Sequence, residues 1–258
     1  MPSRSPAASR LALIRHTGSG RSSLDVAAAH ALLERVATGE EPSTLRLYRP
    51  GPTVAFGRLD ALAPAFMDAA RTARAHGFEP VLRAPGGHAA AYHAASVVLD
   101  LAVADDDPVT GVQDRFADLA KLLGEALRSV GVDARVGEVP GEFCPGAWSV
   151  GAGGRTKLVG TAQRIVRGGY LFAASIVVRE PEPVRAVLVG VYEQLGLAWD
   201  PVTAGAVADT APDATPAAVE DAVVAAFAAR YEPEAAADDL GAAVWDAARA
   251  REPRHVAP

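Results

Sequence analysis

The chain has 258 residues, half of them hydrophobic, enough for one large domain or two small ones with a substantial core. Its net charge of −6, with no basic run, excludes an electrostatic footprint for nucleic acid, and no stretch of 18 consecutive apolar residues exists to span a membrane. A single cysteine rules out an internal disulfide, and the N-terminus has no apolar segment of signal-peptide length, so the expected compartment is the cytoplasm.

Residues 1–10 are expected to be a disordered tail, and 11–258 one folded unit. In 24–38, Leu24, Ala28, Leu32 and Val36 share a helical face, and Gly39 closes the helix. Strands are expected at 45–50 and 53–58 around the turn Pro50-Gly51-Pro52. A helix follows over 62–76, stopped by Gly77, then a strand at 80–85 runs into Gly86-Gly87. Residues 96–104 read as a buried strand, and Asp105-Asp106-Asp107 after them as a solvated loop without a metal. Phe116, Leu119, Leu123 and Leu127 mark a helix over 111–130. Strands follow at 133–139, 148–154, 155–169 and 170–179, and from about Pro181 the chain reads as helical and Ala-rich, with proline breaks. Helices interspersed among neighbouring hairpins indicate an α+β fold around a mixed sheet.

Three groups of residues could carry chemistry. In Arg83-Ala84-Pro85-Gly86-Gly87-His88 a strand delivers an arginine to a turn whose glycines let backbone approach an anion; a plain tight turn with a surface arginine is the other reading. His93 follows His88 at a spacing that matches no metal motif, and each histidine could simply make an ordinary hydrogen bond. Cys144 precedes Pro145-Gly146 on a turn, where a thiol is accessible as a nucleophile, though free cysteine is most often a small buried hydrophobe. Lys157, in Arg155-Thr156-Lys157-Leu158-Val159-Gly160-Thr161-Ala162-Gln163, could point into a cleft and hold a carbonyl or phosphate oxygen, or lie solvated on the surface.

Taken together, LYRPGPTVAFGR, RAPGGHAAAYH and GRTKLVGTAQR resemble the biotin/lipoate protein ligase and octanoyltransferase family, in order and spacing, over roughly residues 24–200. The resemblance implies a catalytic domain over 11–258 with a mixed, largely antiparallel sheet flanked by helices, like the core of class II aminoacyl-tRNA synthetases and biotin ligases. It implies an acyl site lined by Arg83, Gly86, Gly87, His88 and His93, with Gly160, Thr161 and Ala162 allowing close approach of the ligand. Phe143-Cys144-Pro145-Gly146 is most similar to the branch that moves octanoyl from the glycine-cleavage H protein to E2 subunits. In that branch Cys144 attacks the donor's acyl-lysine amide, Lys157 stabilises the oxyanion, and no cofactor is required beyond the octanoyl or lipoyl group itself. An ATP-dependent lipoate ligase, needing ATP and Mg, is the alternative; Ala94, standing where ligases carry aspartate, speaks against it. His88 and Ala94 also admit an inactive relative that only binds acylated carriers.

Overall fold

A computed structural model of the chain describes residues 10–258. The expected tail at 1–9 lies outside the described residues, whereas Arg10 already belongs to a strand. In chain order the elements are β1 (Arg10–Thr17), α1 (Ser22–Ala37), β2 (Thr44–Arg49), β3 (Thr53–Phe56), α2 (Arg58–Ala61), α3 (Phe66–Ala75), β4 (Glu79–Leu82), β5 (Ala90–Tyr92), β6 (Ser96–Ala104), α4 (Val112–Ser129), β7 (Ala134–Val136), β8 (Val150–Ala152), β9 (Thr156–Val166), β10 (Gly169–Val177), α5 (Pro181–Leu195), α6 (Pro216–Ala228), β11 (Glu232–Pro233) and α7 (Ala242–Arg251).

The α+β expectation holds. The large sheet runs β11-β1-β2-β6-β10-β9-β8-β7, with β1 parallel to both neighbours and every other pairing antiparallel. A smaller sheet, β4-β3-β5, pairs β3 parallel to β4 and antiparallel to β5. The helices follow from local signals. Leu119, Leu123 and Leu127 give α4 a buried face in the core of the large sheet, where it packs on β7 and β8 with α6 beside it. Helix α5 starts with Pro181 in its first turn and ends at Gly196 in the left-handed conformation that favours glycine. The Ala-rich α1 packs its buried face between the large sheet and α7. The small sheet, α3 and α5 enclose a second core around Phe56, Phe66 and Leu188.

Two expectations change. The helix expected over 62–76 begins only at Phe66, after the separate short turn α2, because Pro64 disfavours helical backbone at Ala63. The strand expected over 133–139 stops at Val136, since Gly137 takes a φ of 146° and turns the chain. The helical reading from 181 is right for three helices, α5, α6 and α7, with turns between them.

The last residues brace the strand that leads to the Gly-Gly turn. Leu82 donates its N–H to the His255 carbonyl at 2.9 Å, His255 Nδ1 lies 2.6 Å from the Leu82 carbonyl, and Arg74 donates to the Ala257 carbonyl at 2.9 Å. Below the sheet, Arg46 is fully buried and donates to Asp100 at 3.0 Å, Asp25 at 3.3 Å and His16 Nε2 at 2.9 Å. Burial and this arginine push His16 down to about 4, so the ring stays neutral and accepts.

Candidate active site

The Gly86-Gly87 turn after β4 and the loop between β7 and β8 meet at the mouth of a cavity of about 340 Å³. Its wall is mostly small and apolar, with Val26, Ala29, Ala55, Val98, Leu171, Ala173 and Ala174 contributed by α1 and by both sheets. Arg83, Gly86, Gly87, Cys144, Lys157, Gly160, Thr161 and Ala162 also line it. Eight of the ten residues singled out in the sequence therefore share one cavity; His88 stands at the rim and His93 stands apart.

Cys144 is partly exposed and takes a φ of 41°, the left-handed region that side chains seldom enter. Strain of this kind persists only where neighbours hold it. Here the holding group is Lys157, whose Nζ donates to the Phe143 carbonyl at 2.9 Å and the Cys144 carbonyl at 2.9 Å and pairs with Glu142 Oε2 at 2.7 Å. The ammonium has three hydrogens, so this set occupies all of them. Both charges of the pair are buried, and Glu142 is further held by Ser149 Oγ at 2.8 Å and by the N–H groups of Val139 and Gly146. Lys157 thus clamps the cysteine loop from beneath.

The sulfur itself meets the other strand. The His88 N–H donates to Cys144 Sγ at 3.2 Å, and Arg83 Nη2 lies 3.9 Å from it while donating to the His88 carbonyl at 2.8 Å. Gly87 is required here: its φ is 94°, and a Cβ would lie 2.9 Å from Sγ and 2.7 Å from Arg83 Nη2. Gly57 lets the α2 turn approach, since a Cβ there would lie 1.7 Å from the Gly87 carbonyl oxygen. Asp60 on α2 reaches His88, with Oδ1 2.7 Å from Nδ1, and its other oxygen accepts the Gly57 N–H at 3.0 Å.

His93, expected in the acyl site, is buried away from the cavity wall. Its Nδ1 accepts the Ala95 N–H at 3.0 Å, and Nε2 donates to the Glu180 carbonyl at 2.9 Å, so both nitrogens are engaged in holding the start of α5. Sequence reasoning missed Asp60, Glu142 and Ser149. Glu142 could have been noticed as the one charge beside Cys144, because a carboxylate next to a clamped turn needs a cation. Asp60 carried no signal, being far from His88 in sequence. Among the described residues no group of three or more His, Cys, Asp or Glu side chains is placed to hold a metal ion, and no helix is long and apolar enough to cross a membrane.

Two strands and a helix turn thus converge on a cysteine at the mouth of a mostly apolar cavity. The model of the lipoyl protein ligase A/B catalytic domain matches residues 23–228, and the chain belongs to that family. It is 27% identical over 166 residues to the octanoyl-[GcvH]:protein N-octanoyltransferase of Geobacillus kaustophilus, covering 64% of this chain and 58% of that protein. The chain therefore matches less than two thirds of that relative's length. It is 30% identical over 191 residues to the octanoyltransferase LipM of Kyrpidia tusciae, covering 67% and 68%. In fold it is similar to a lipoate-protein ligase A bound with ATP, with a TM-score of 0.73 at 20% identity over 96% of this chain and 95% of the other. A bi-partite lipoate protein ligase from Thermoplasma acidophilum, described with its E2 lipoyl domain, has a TM-score of 0.71 at 17% identity over 95% and 93%.

Proposed function

We propose that the chain is an acyltransferase of lipoate metabolism that moves an octanoyl or lipoyl group onto a carrier lysine through a thioester on Cys144. The observation that carries this reading is the placement of the only thiol at the mouth of the apolar cavity, with an N–H donor on Sγ and a strained backbone held by Lys157. A cavity of 340 Å³ falls within the range of small-molecule sites. Each buried methylene of an acyl chain adds roughly 0.8 kcal/mol, so a seven-carbon tail is held by about 5 kcal/mol before ordering costs. The names of the two relatives, both octanoyltransferases, support the same chemistry.

In this reading Cys144 attacks the carbonyl of an acyl-lysine amide, the donor lysine departs, and the lysine of a second carrier takes the acyl group. The N–H on the sulfur orients it for attack, and burial of the acyl chain in the apolar cavity favours the acylated state, which is the requirement when an amide is exchanged for a thioester. Lys157 fixes the loop. For it to meet the oxyanion as well, the ammonium must release the Cys144 carbonyl when the substrate arrives. Arg83 and the Gly86-Gly87 turn border the carbonyl, and Gly160, Thr161 and Ala162 form the wall beside the acyl chain. The carriers are lipoyl-type domains, the glycine-cleavage H protein and E2 subunits, and no ATP is consumed.

Intact-mass analysis tests this. Mixing the protein with octanoylated H protein should add about 126 Da to Cys144, the mass of one acyl group. Subsequent apo-carrier should discharge it, and Cys144→Ser should show neither step. Transfer from free octanoate that requires ATP and Mg would establish the ligase alternative instead. Carrier binding without any adduct would establish the inactive relative.

A further inference from the structure

The acyl chain and the sulfur are accounted for; the reacting nitrogen is not. With the chain in the cavity and the carbonyl at Cys144, the lysine nitrogen that leaves or arrives lies on the rim side. Two proton movements occur there: the departing amine needs a proton, and the attacking amine must lose one. Lys157 and Glu142 are buried against each other beneath the loop, the ammonium with no free hydrogen.

His88 stands at that rim. Its backbone N–H touches Sγ at 3.2 Å, and its side chain is 32% exposed and outside the cavity wall. Nδ1 lies 2.7 Å from Asp60 Oδ1, and Asp60 is 1% exposed with its second oxygen on the Gly57 N–H. An ionised carboxylate can only accept, which places the ring hydrogen on Nδ1 and leaves a lone pair on Nε2. Among the described residues, Nε2 makes no hydrogen bond. An imidazole oriented by a buried carboxylate, on the residue whose backbone N–H meets the nucleophilic sulfur, has the partners that proton transfer in acyl exchange uses.

We propose that His88 is the proton carrier for the reacting nitrogen, and that Asp60 is its positioning residue; the proposal rests on the thioester reading. In the first half-reaction the sulfur–carbon bond forms, the carbon–nitrogen bond of the donor amide breaks, and the thiol proton passes through Nε2 to the departing amine. In the second, the acceptor nitrogen bonds to the carbonyl carbon and the carbon–sulfur bond breaks. One proton from that nitrogen returns through Nε2 to the sulfur. No other reactant is consumed.

The test loads Cys144 with p-nitrophenyl octanoate, whose leaving group needs no proton, and then divides the thioester between two nucleophiles. Hydroxylamine is already unprotonated at neutral pH and needs no base; the lysine of apo H protein does. His88→Gln should load more slowly, since the ring also takes the thiol proton, but once loaded should react with hydroxylamine within about threefold of the parental protein, yet transfer to the carrier about 10²-fold or more slowly. Asp60→Asn should show the same skew at about tenfold, and added imidazole should partly restore carrier transfer in His88→Ala. Carrier transfer by His88→Gln at the parental rate overturns the proposal. Equal loss with both nucleophiles also overturns it, by reducing His88 to a structural support. If the parental protein itself never carries octanoyl on Cys144, the thioester reading fails first and is seen to fail separately.

Discussion

Replacing Lys157 by methionine removes the cation while keeping most of the side-chain volume. Glu142 then stays buried with its negative charge opposed only by Ser149 Oγ and the N–H groups of Val139 and Gly146. Removing one partner of a buried pair costs about 3–5 kcal/mol. Those three remaining donors place this site at the low end, about 3 kcal/mol. For a chain of this size each kcal/mol lowers the midpoint by about 2–4 °C, so Lys157→Met should melt about 6–12 °C lower. Glu142→Gln tests the same pair from the other side. The double variant should be less damaged than the sum of the singles, with a coupling of about 2 kcal/mol from urea unfolding. Because Lys157 also holds the Phe143 and Cys144 carbonyls, amide exchange over 143–149 should quicken about tenfold or more in Lys157→Met. Singles that add within about 0.5 kcal/mol, with unchanged exchange in the loop, would refute the clamp.

Cys144→Gly should abolish acyl loading yet unfold no more readily than the parental chain, because glycine accepts the φ of 41° without strain; equilibrium unfolding checks it. Gly57→Ala should cost about 1–3 kcal/mol and slow loading at Cys144, as its Cβ would lie 1.7 Å from the Gly87 carbonyl oxygen; urea midpoints and p-nitrophenolate release measure both. Ala162→Leu narrows the cavity wall and should shift loading from octanoyl toward shorter acyl esters about tenfold, read from relative rates. His16 is neutral in the fold down to about 4 but protonated in the unfolded chain below about 6.5, so its stabilisation is present above 6.5 and lost as pH falls toward 4. His16→Gln should therefore lose less stability than the parental chain over that window. The comparison isolates His16 from Asp100, which burial raises to about 6 and which acts in the opposite sense.

Much of the architecture was legible because the signals are local. The strand at 96–104 is a continuous buried run, and α4 declares itself by the spacing of Leu119, Leu123 and Leu127. Strand β1 went unread because its alternation Leu11, Leu13 is short and begins at Arg10, inside what looks like a polar tail. Strand β5, with only Ala90, Ala91 and Tyr92, has no pattern of its own and exists by pairing with β3.

The chemistry divides along the same line. Residue type and turn context alone singled out Cys144, Lys157 and the Arg83–Gly87 turn, since a thiol before Pro-Gly and paired glycines are properties of neighbouring residues. What the lysine does, which histidine has its backbone N–H on the sulfur and which is spent on α5 depend on distances between segments far apart in the chain. Those were decided only when β9 brought Lys157 under the Cys144 loop and Gly57 let Asp60 close on His88, because hydrogen bonds act over about 3 Å and sequence separation says nothing about that distance.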